Sequence, residues 1–276
     1  MSEIHVLNHR AMATQFQVRI ANEEKTYAAQ AAQAAFALVN ELESHLSRFR
    51  ANSEISQIAQ LQSEQALRLS EPAFTCLEIA KRMERATGSA FCVSASALQS
   101  QALHPQWTLL KNSFSIRCDG GRLDFDLGAI GKGFALDRMG EILREWDCPA
   151  FLLAAGGSSI LAGESPAEMT GWSCGLGDDH SLHRLTLKNC SLSGSGLAVK
   201  GSHILDPRSG QPAARQNRAW ALTDIAAESD ALSTACMVLD ETEIEPMLAA
   251  NSRWLVFLED RAGLKRFGTR EAAMTV

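Results

Sequence analysis

The apolar period of this chain switches repeatedly between 2 and 3.6 residues, and this switching constrains the fold more than any other feature. Met12 to Ile20 alternates, with Phe16, Val18 and Ile20 apolar, which predicts a half-buried strand. Thr26 to Phe49 then places Ala35, Leu38, Val39, Leu42 and Leu46 on one helical face, in an Ala-rich segment able to pack closely on a sheet. A second helix is predicted from Glu71 to Thr87, with Pro72 in its first turn and Gly88 as its stop. Ser113 to Cys118 and Arg122 to Leu127 alternate across Asp119, Gly120 and Gly121, which is a hairpin signal. A third helix is expected from Gly131 to Asp147, burying Phe134, Met139, Ile142 and Leu143. The apolar run Phe151 to Ala155 stops at Gly156 and Gly157, as a central strand does before a tight loop. Arg218 to Asp224 and Arg253 to Glu259 read as strands and Asp230 to Leu239 as a helix, with a hairpin at Asp260 to Gly263.

Strands mixed with helices and hairpins favour an α+β fold over a doubly wound parallel sheet. With 276 residues, 46% of them hydrophobic, the chain supports a sizeable core. No repeat or linker divides it, so one domain over 1–276 is expected. A net charge of −6 without a Lys/Arg run argues against nucleic acid as a partner. The seven cysteines are at least 16 residues apart and make no CxxC or CxxH metal spacing, which reads as reduced thiols. Met1 to Ala21 lacks the apolar stretch and small-residue cleavage site of an export signal, and no segment reads as a membrane span. A cytoplasmic protein is expected.

Three segments carry residues suited to chemistry. In LDFDLGAIGKGFALD, from Leu123 to Asp137, a strand runs into Gly128, Gly131 and Gly133 and opens a helix. Backbone N–H groups, a helix N-terminus and Lys132 together suit a phosphate, although the pattern is neither GxGxxG nor a P-loop and also fits a plain glycine turn. In ESDALSTA, from Glu228 to Ala235, Asp230 and Thr234 are four apart and share a helix face. They offer two hard oxygen ligands to Mg²⁺; alternatively, Ser229 or Asp230 is simply the helix N-cap. In GSHILDPRSG, from Gly201 to Gly210, His203 precedes a turn and is either structural or a general base near neutral pH. Phe49 suits stacking on a planar ring as well as anchoring a core, and Ser193 to Gly196 suits a loop beside a ligand as well as a surface turn. A GxSxG elbow is missing, so nothing supports α/β-hydrolase chemistry.

Taken in order, these segments resemble the ApbE-type family of FAD:protein FMN transferases. The resemblance rests on Met12-Ala13-Thr14, on LSRFRANSEISQIA at 46–59, on DLGAIGKGFALD at 126–137, on Gly156-Gly157, on HILDPRSG at 203–210 and on SDALSTA at 229–235. It implies a mixed or antiparallel sheet flanked by helices, with a flavin site in a central cleft. It also implies Mg²⁺ held by Asp230, Thr234 and Ala129, the last through its backbone carbonyl. FAD contacts are implied for Met12, Phe49, Ser94, Asp126, Lys132 and Leu205, and His203 matches the family's suspected base. The implied reaction moves FMN from FAD to a Thr or Ser hydroxyl of an acceptor protein, releasing AMP. The same site with water as acceptor would be an FAD pyrophosphatase, and without chemistry an FAD-binding protein. Three departures are visible: Phe91-Cys92-Val93-Ser94 stands where the family has Phe-Asp-Pro-Thr, Ser195-Gly196-Leu197 lacks the acidic and aromatic residues usual there, and Ala13 replaces a glycine.

Overall fold

The structure is a computed structural model describing residues 3–94, 105–177, 183–196, 204–213, 216–260, 263–271 and 274–275. The first alternating segment is the second arm of a hairpin: β1 (Ile4–Ala11) pairs with β2 (Thr14–Ala21) across Met12 and Ala13, whose φ angles are 49° and 56°. Two successive positive φ values give the turn a twist matching that of the strands, at some cost because neither residue is glycine. α1 (Lys25–Leu46) follows, buried along Ala28, Ala31, Ala32, Ala35, Val39, Leu42 and Leu46. Next come α2 (Glu54–Ile58), β3 (Ala66–Arg68) and α3 (Glu71–Ala86); α3 is capped by Ser70 and stops where Gly88 turns left-handed, at φ 56°.

β4 (Gln106–Leu110) and β5 (Ser115–Gly120) pair with each other, and β3 completes this small antiparallel sheet. The hairpin expected between 113–118 and 122–127 is therefore replaced by one between 106–110 and 115–120. Leu123, Phe125 and Leu127 alternate because they are buried, yet 122–127 joins no ladder; the Asp126 N–H goes instead to the Val93 carbonyl. The pattern reported burial, which extended chain shares with strand.

α4 (Gly131–Glu145) leads to β6 (Phe151–Ala155), β7 (Ser159–Ala162), β8 (Trp172–Leu176), β9 (His183–Leu187), β10 (Cys190–Gly196) and β11 (Arg218–Thr223). α5 (Ala226–Cys236), α6 (Glu241–Ala250), β12 (Leu255–Asp260), β13 (Gly263–Phe267) and β14 (Met274–Thr275) complete the chain. Eight strands form one antiparallel sheet in the order β1-β2-β6-β7-β10-β11-β12-β13. The main core, including Phe16, Val18, Phe36, Phe134, Leu153 and Leu232, lies under the helices. The other sheet face buries Leu152, Leu192, Leu222 and Phe257 with Trp172, Leu176, Leu185 and Leu187 of the three-stranded sheet β14-β9-β8. The α+β class and antiparallel sheet with flanking helices match the expectation.

α5 starts four residues earlier than Asp230. Its N-cap, Ile225, has no capping side chain. The missing acceptor comes from α4, where Asp137 Oδ1 and Oδ2 accept from the Ala226 and Ala227 N–H groups at 2.7 and 2.8 Å. Ser229 and Asp230 are consequently inside the helix and do not cap it. α5 is buried nearly all round, against α3, α4, β7, β10 and β11.

Candidate active site

The N-terminal turn of α4 meets the middle of α5, which places the glycine-rich loop against the Asp/Thr pair. Close approach is possible because residue 133 lacks a side chain: a Cβ there would stand 2.0 Å from the Ala226 carbonyl oxygen. The Gly133 N–H donates to Asp230 Oδ2 at 3.1 Å, and Ser159 Oγ on β7 donates to Asp230 Oδ1 at 2.9 Å. Lys132 Nζ is 3.2 Å from both carboxylate oxygens and 3.2 Å from the Gly128 carbonyl. The Asp230 side chain is only 4% exposed, whereas that of Lys132 is 23% exposed.

Thr234, one turn on, donates from Oγ1 to the Asp230 carbonyl at 3.2 Å and shares a 3.1 Å hydrogen bond with Ser195 Oγ. Ser195 also bonds Ser233, and Ser229 bonds both Ser191 and Ser193 at 2.8 Å. The α5–β10 contact is thus a row of hydroxyls. Ser193 to Gly196 is part of strand β10 and not a surface turn; the period-2 placement of Ser191, Ser193 and Ser195 was the available signal.

A second cluster adjoins the first through Gly128. Its N–H donates to Asp126 Oδ1 at 2.8 Å, while its carbonyl receives Lys132. Asp126 Oδ2 takes a 2.8 Å bond from Arg48 Nη1, and the Arg48 guanidinium lies 5.3 Å from the Phe49 ring centre. Phe49 is 86% exposed, so it anchors no core. The Asp126–Val93 hydrogen bond brings in 91–94, where Ser94 is buried and its Oγ is 3.1 Å from Cys92 Sγ. Burial raises the Cys92 thiol above its ordinary range. Met12 Cε approaches Gly131, within 3.6 Å of the position a Cβ would take. Ala129 is half-buried against the main core.

The structure therefore brings Met12 and Asp230 against the loop that carries Asp126, Ala129 and Lys132, and links Phe49, Ser94 and Thr234 to it one residue removed, through Arg48, Val93 and Asp230. Leu205 pairs with Pro212 in an isolated bridge, and the segment 206–213 shares a cavity of about 240 Å³ with Met237 and Val238 at the C-terminal end of α5. His203 lies outside the described residues. A cavity of about 300 Å³, lined by Asp137, Arg138, Glu141 and Arg144, lies further along α4 and does not include the Lys132–Asp230 pair. Arg48, Ser159 and Ser233 were not singled out from sequence, and Ser229 was read only as a candidate N-cap, because only tertiary contact reveals their partners.

Among the described residues no three His, Cys, Asp or Glu side chains cluster as metal ligands. The oxygens around Lys132 Nζ nevertheless suit a hard cation: an ammonium sits among one carboxylate and one backbone carbonyl, oxygen donors of the kind Mg²⁺ takes. The donor chemistry fits Mg²⁺.

A model of the ApbE family matches residues 12–257. Among curated proteins, the FAD:protein FMN transferase of Klebsiella pneumoniae (strain 342) is 24% identical over 212 residues, covering 64% of this chain and 65% of that protein. The FAD:protein FMN transferase of Treponema pallidum (strain Nichols) is 28% identical over 138 residues, 42% of this chain and 38% of that protein. In both cases the matched stretch spans less than two thirds of the relative. The flavin transferase ApbE from Vibrio cholerae has the same fold at a TM-score of 0.81, with 19% identity and 98% of both chains covered. The ApbE protein from Thermotoga maritima gives 0.82 at 19% identity, covering 96% of this chain and 97% of the other.

Proposed function

Because this chain belongs to the ApbE family, we propose that it transfers FMN from FAD to a Thr or Ser hydroxyl of an acceptor protein and releases AMP. One observation carries the reading: Lys132 and Gly133 of the glycine-rich loop bond directly to buried Asp230. Two segments 97 residues apart thereby form one polar centre.

In this reading Asp230, Thr234 and the Ala129 carbonyl hold Mg²⁺. The bound ion would neutralise charge on the diphosphate as it breaks. Phe49, exposed and unpacked, stacks on the flavin, with Arg48 and Asp126 fixing the loop beside it. Met12, Ser94 and Leu205 line the FAD site, and Lys132 contacts the phosphates. His203 takes the proton of the acceptor hydroxyl as its oxygen attacks the FMN-side phosphorus; the new P–O bond forms while AMP leaves with the bridging oxygen. We place the reaction in the cytoplasm, a location supported by seven free cysteines, six of them buried.

The test is incubation with FAD, Mg²⁺ and a candidate acceptor, followed by denaturing electrophoresis and flavin fluorescence. A fluorescent acceptor band is expected. Free FMN and AMP without a band would replace the transferase by a pyrophosphatase, and binding without turnover would leave a flavin-binding protein. Full transfer by Asp230→Ala would remove the metal assignment, and full transfer by His203→Ala the base.

A further inference from the structure

Asp230 and Lys132 are held very differently. The carboxylate is fixed from two sides that do not depend on any cation, by Ser159 Oγ on β7 and by the Gly133 N–H on α4. Lys132 ends a flexible four-carbon stem and stays partly exposed, and its ammonium is held only by the two oxygens of the Asp230 carboxylate and by the Gly128 carbonyl, each at 3.2 Å. Of the two charges, the lysine is the one free to move.

Mg²⁺ binds oxygen at about 2.0–2.1 Å. An ion on Asp230 would then lie within a few ångströms of an ammonium that is 3.2 Å from both carboxylate oxygens. Beside a carboxylate only 4% exposed, the repulsion between the two cations is screened less than at the surface. They exclude each other.

We propose that Lys132 is the resident cation of the free protein, occupying the place of the divalent ion and yielding it when an anionic diphosphate offers the ammonium a new partner. This rests on the metal reading of Asp230 and Thr234 given above. It makes metal and diphosphate binding interdependent: each ligand supplies what the other's arrival displaces, so each tightens the other. It also gives Lys132 a role beyond contacting a phosphate, since the same side chain keeps the metal site closed when no substrate is present.

The experiment titrates the protein, without nucleotide, with Mn²⁺ as a paramagnetic probe for the divalent ion, following free Mn²⁺ by electron paramagnetic resonance. The wild type is expected to bind weakly. Lys132→Met removes the competitor and tightens Mn²⁺ binding by on the order of tenfold or more. Lys132→Arg keeps a cation on Asp230 and binds no more tightly than the wild type. Thermal unfolding supplies a second readout: Mg²⁺ alone raises the Tm of Lys132→Met more than that of the wild type. Mn²⁺ binding to Lys132→Met no tighter than to wild type, or tightened equally by Lys132→Arg, overturns the proposal while leaving the metal site intact. Adding Asp230→Asn to Lys132→Met distinguishes the deeper failure: unchanged Mn²⁺ affinity there places the ion elsewhere and removes both readings. Should Lys132→Met not fold, Lys132→Gln takes its place as the uncharged variant and is read against wild type and Lys132→Arg in the same way.

Discussion

Gly133 gives a sharp test of how the site is assembled. In Gly133→Ala the new Cβ would lie 2.0 Å from the Ala226 carbonyl oxygen and 2.5 Å from its carbon, both backbone atoms in the first turn of α5. Ordinary contact begins near about 3.5 Å, so α4 and α5 must part by about 1.5 Å. The 3.1 Å bond from Gly133 N–H to Asp230 then lengthens beyond hydrogen-bonding range. Overpacking of a core costs about 1–3 kcal/mol. Loss of a bond to a buried charged acceptor adds about 1.5–3 kcal/mol. A combined loss of about 3–5 kcal/mol is expected, read from urea unfolding with the m-value compared between variants. Gly131→Ala is the control two residues earlier, where a Cβ meets only Met12 Cε at 3.6 Å and Leu127 Cβ at 3.8 Å. That change is expected to lie within about 0.5 kcal/mol of wild type or to stabilise, since alanine favours helix. Equal effects from the two substitutions, or a Gly133→Ala cost below about 1 kcal/mol, would refute the close approach of α4 and α5 as the device that builds the centre.

Three further outcomes follow. Ala13→Gly relieves a positive φ of 56° and is expected to raise stability by about 0.5–1 kcal/mol in the same unfolding assay; a destabilised variant would contradict the left-handed turn. Burial raises the Asp137 carboxyl to about 7, against the pull of two N–H groups from α5. A carboxyl raised on folding favours the fold most when protonated, below its ordinary value near about 4, and loses that contribution as pH climbs to about 7. The stability of wild type relative to Asp137→Asn should therefore fall between pH 4 and pH 7, and a difference that grows over this range would reverse the sign of the shift. Phe49→Ala, at an 86% exposed position, is expected to leave the Tm unchanged and to weaken FAD binding about tenfold, measured by flavin fluorescence quenching; unchanged FAD affinity would dismiss the stacking role.

What the sequence made legible follows from which forces are local. α1, α3 and α4 were readable because each buries one face at helical spacing and the start of α3 is marked by its own residues, Ser70 and Pro72. α5 was misplaced because its start is capped from outside: no side chain near Ile225 announces it, and the acceptor, Asp137, is 89 residues away from Ala226. The segment 122–127 deceived for a related reason, since alternating burial says nothing about which backbone groups pair. In the site, Asp230 and Thr234 were visible through their four-residue spacing and Lys132 through its glycines. Ser159 was not, because a serine that orients a carboxylate 71 residues on looks like any other serine.

The contact between α5 and β10 ties fold and site together. A helix lying on a sheet usually buries apolar side chains there, but here Ser229 and Ser233 meet Ser191, Ser193 and Ser195, of which all but Ser195 are fully buried. Each hydroxyl has a partner, so the desolvation cost is met, and replacement of whole pairs by apolar groups would alter stability little. The hydroxyls differ from an apolar contact in direction. Methyl groups tolerate a slide or a small rotation of the helix, whereas a ladder of pairs 2.8–3.0 Å long loses its bonds when α5 turns. Successive helical residues point about 100° apart, so a small rotation of α5 would carry Asp230 away from Lys132 and Thr234 away from Ser195. The serine ladder therefore fixes the rotation of α5, and with it the aim of the two oxygen groups one turn apart on which the proposed chemistry depends.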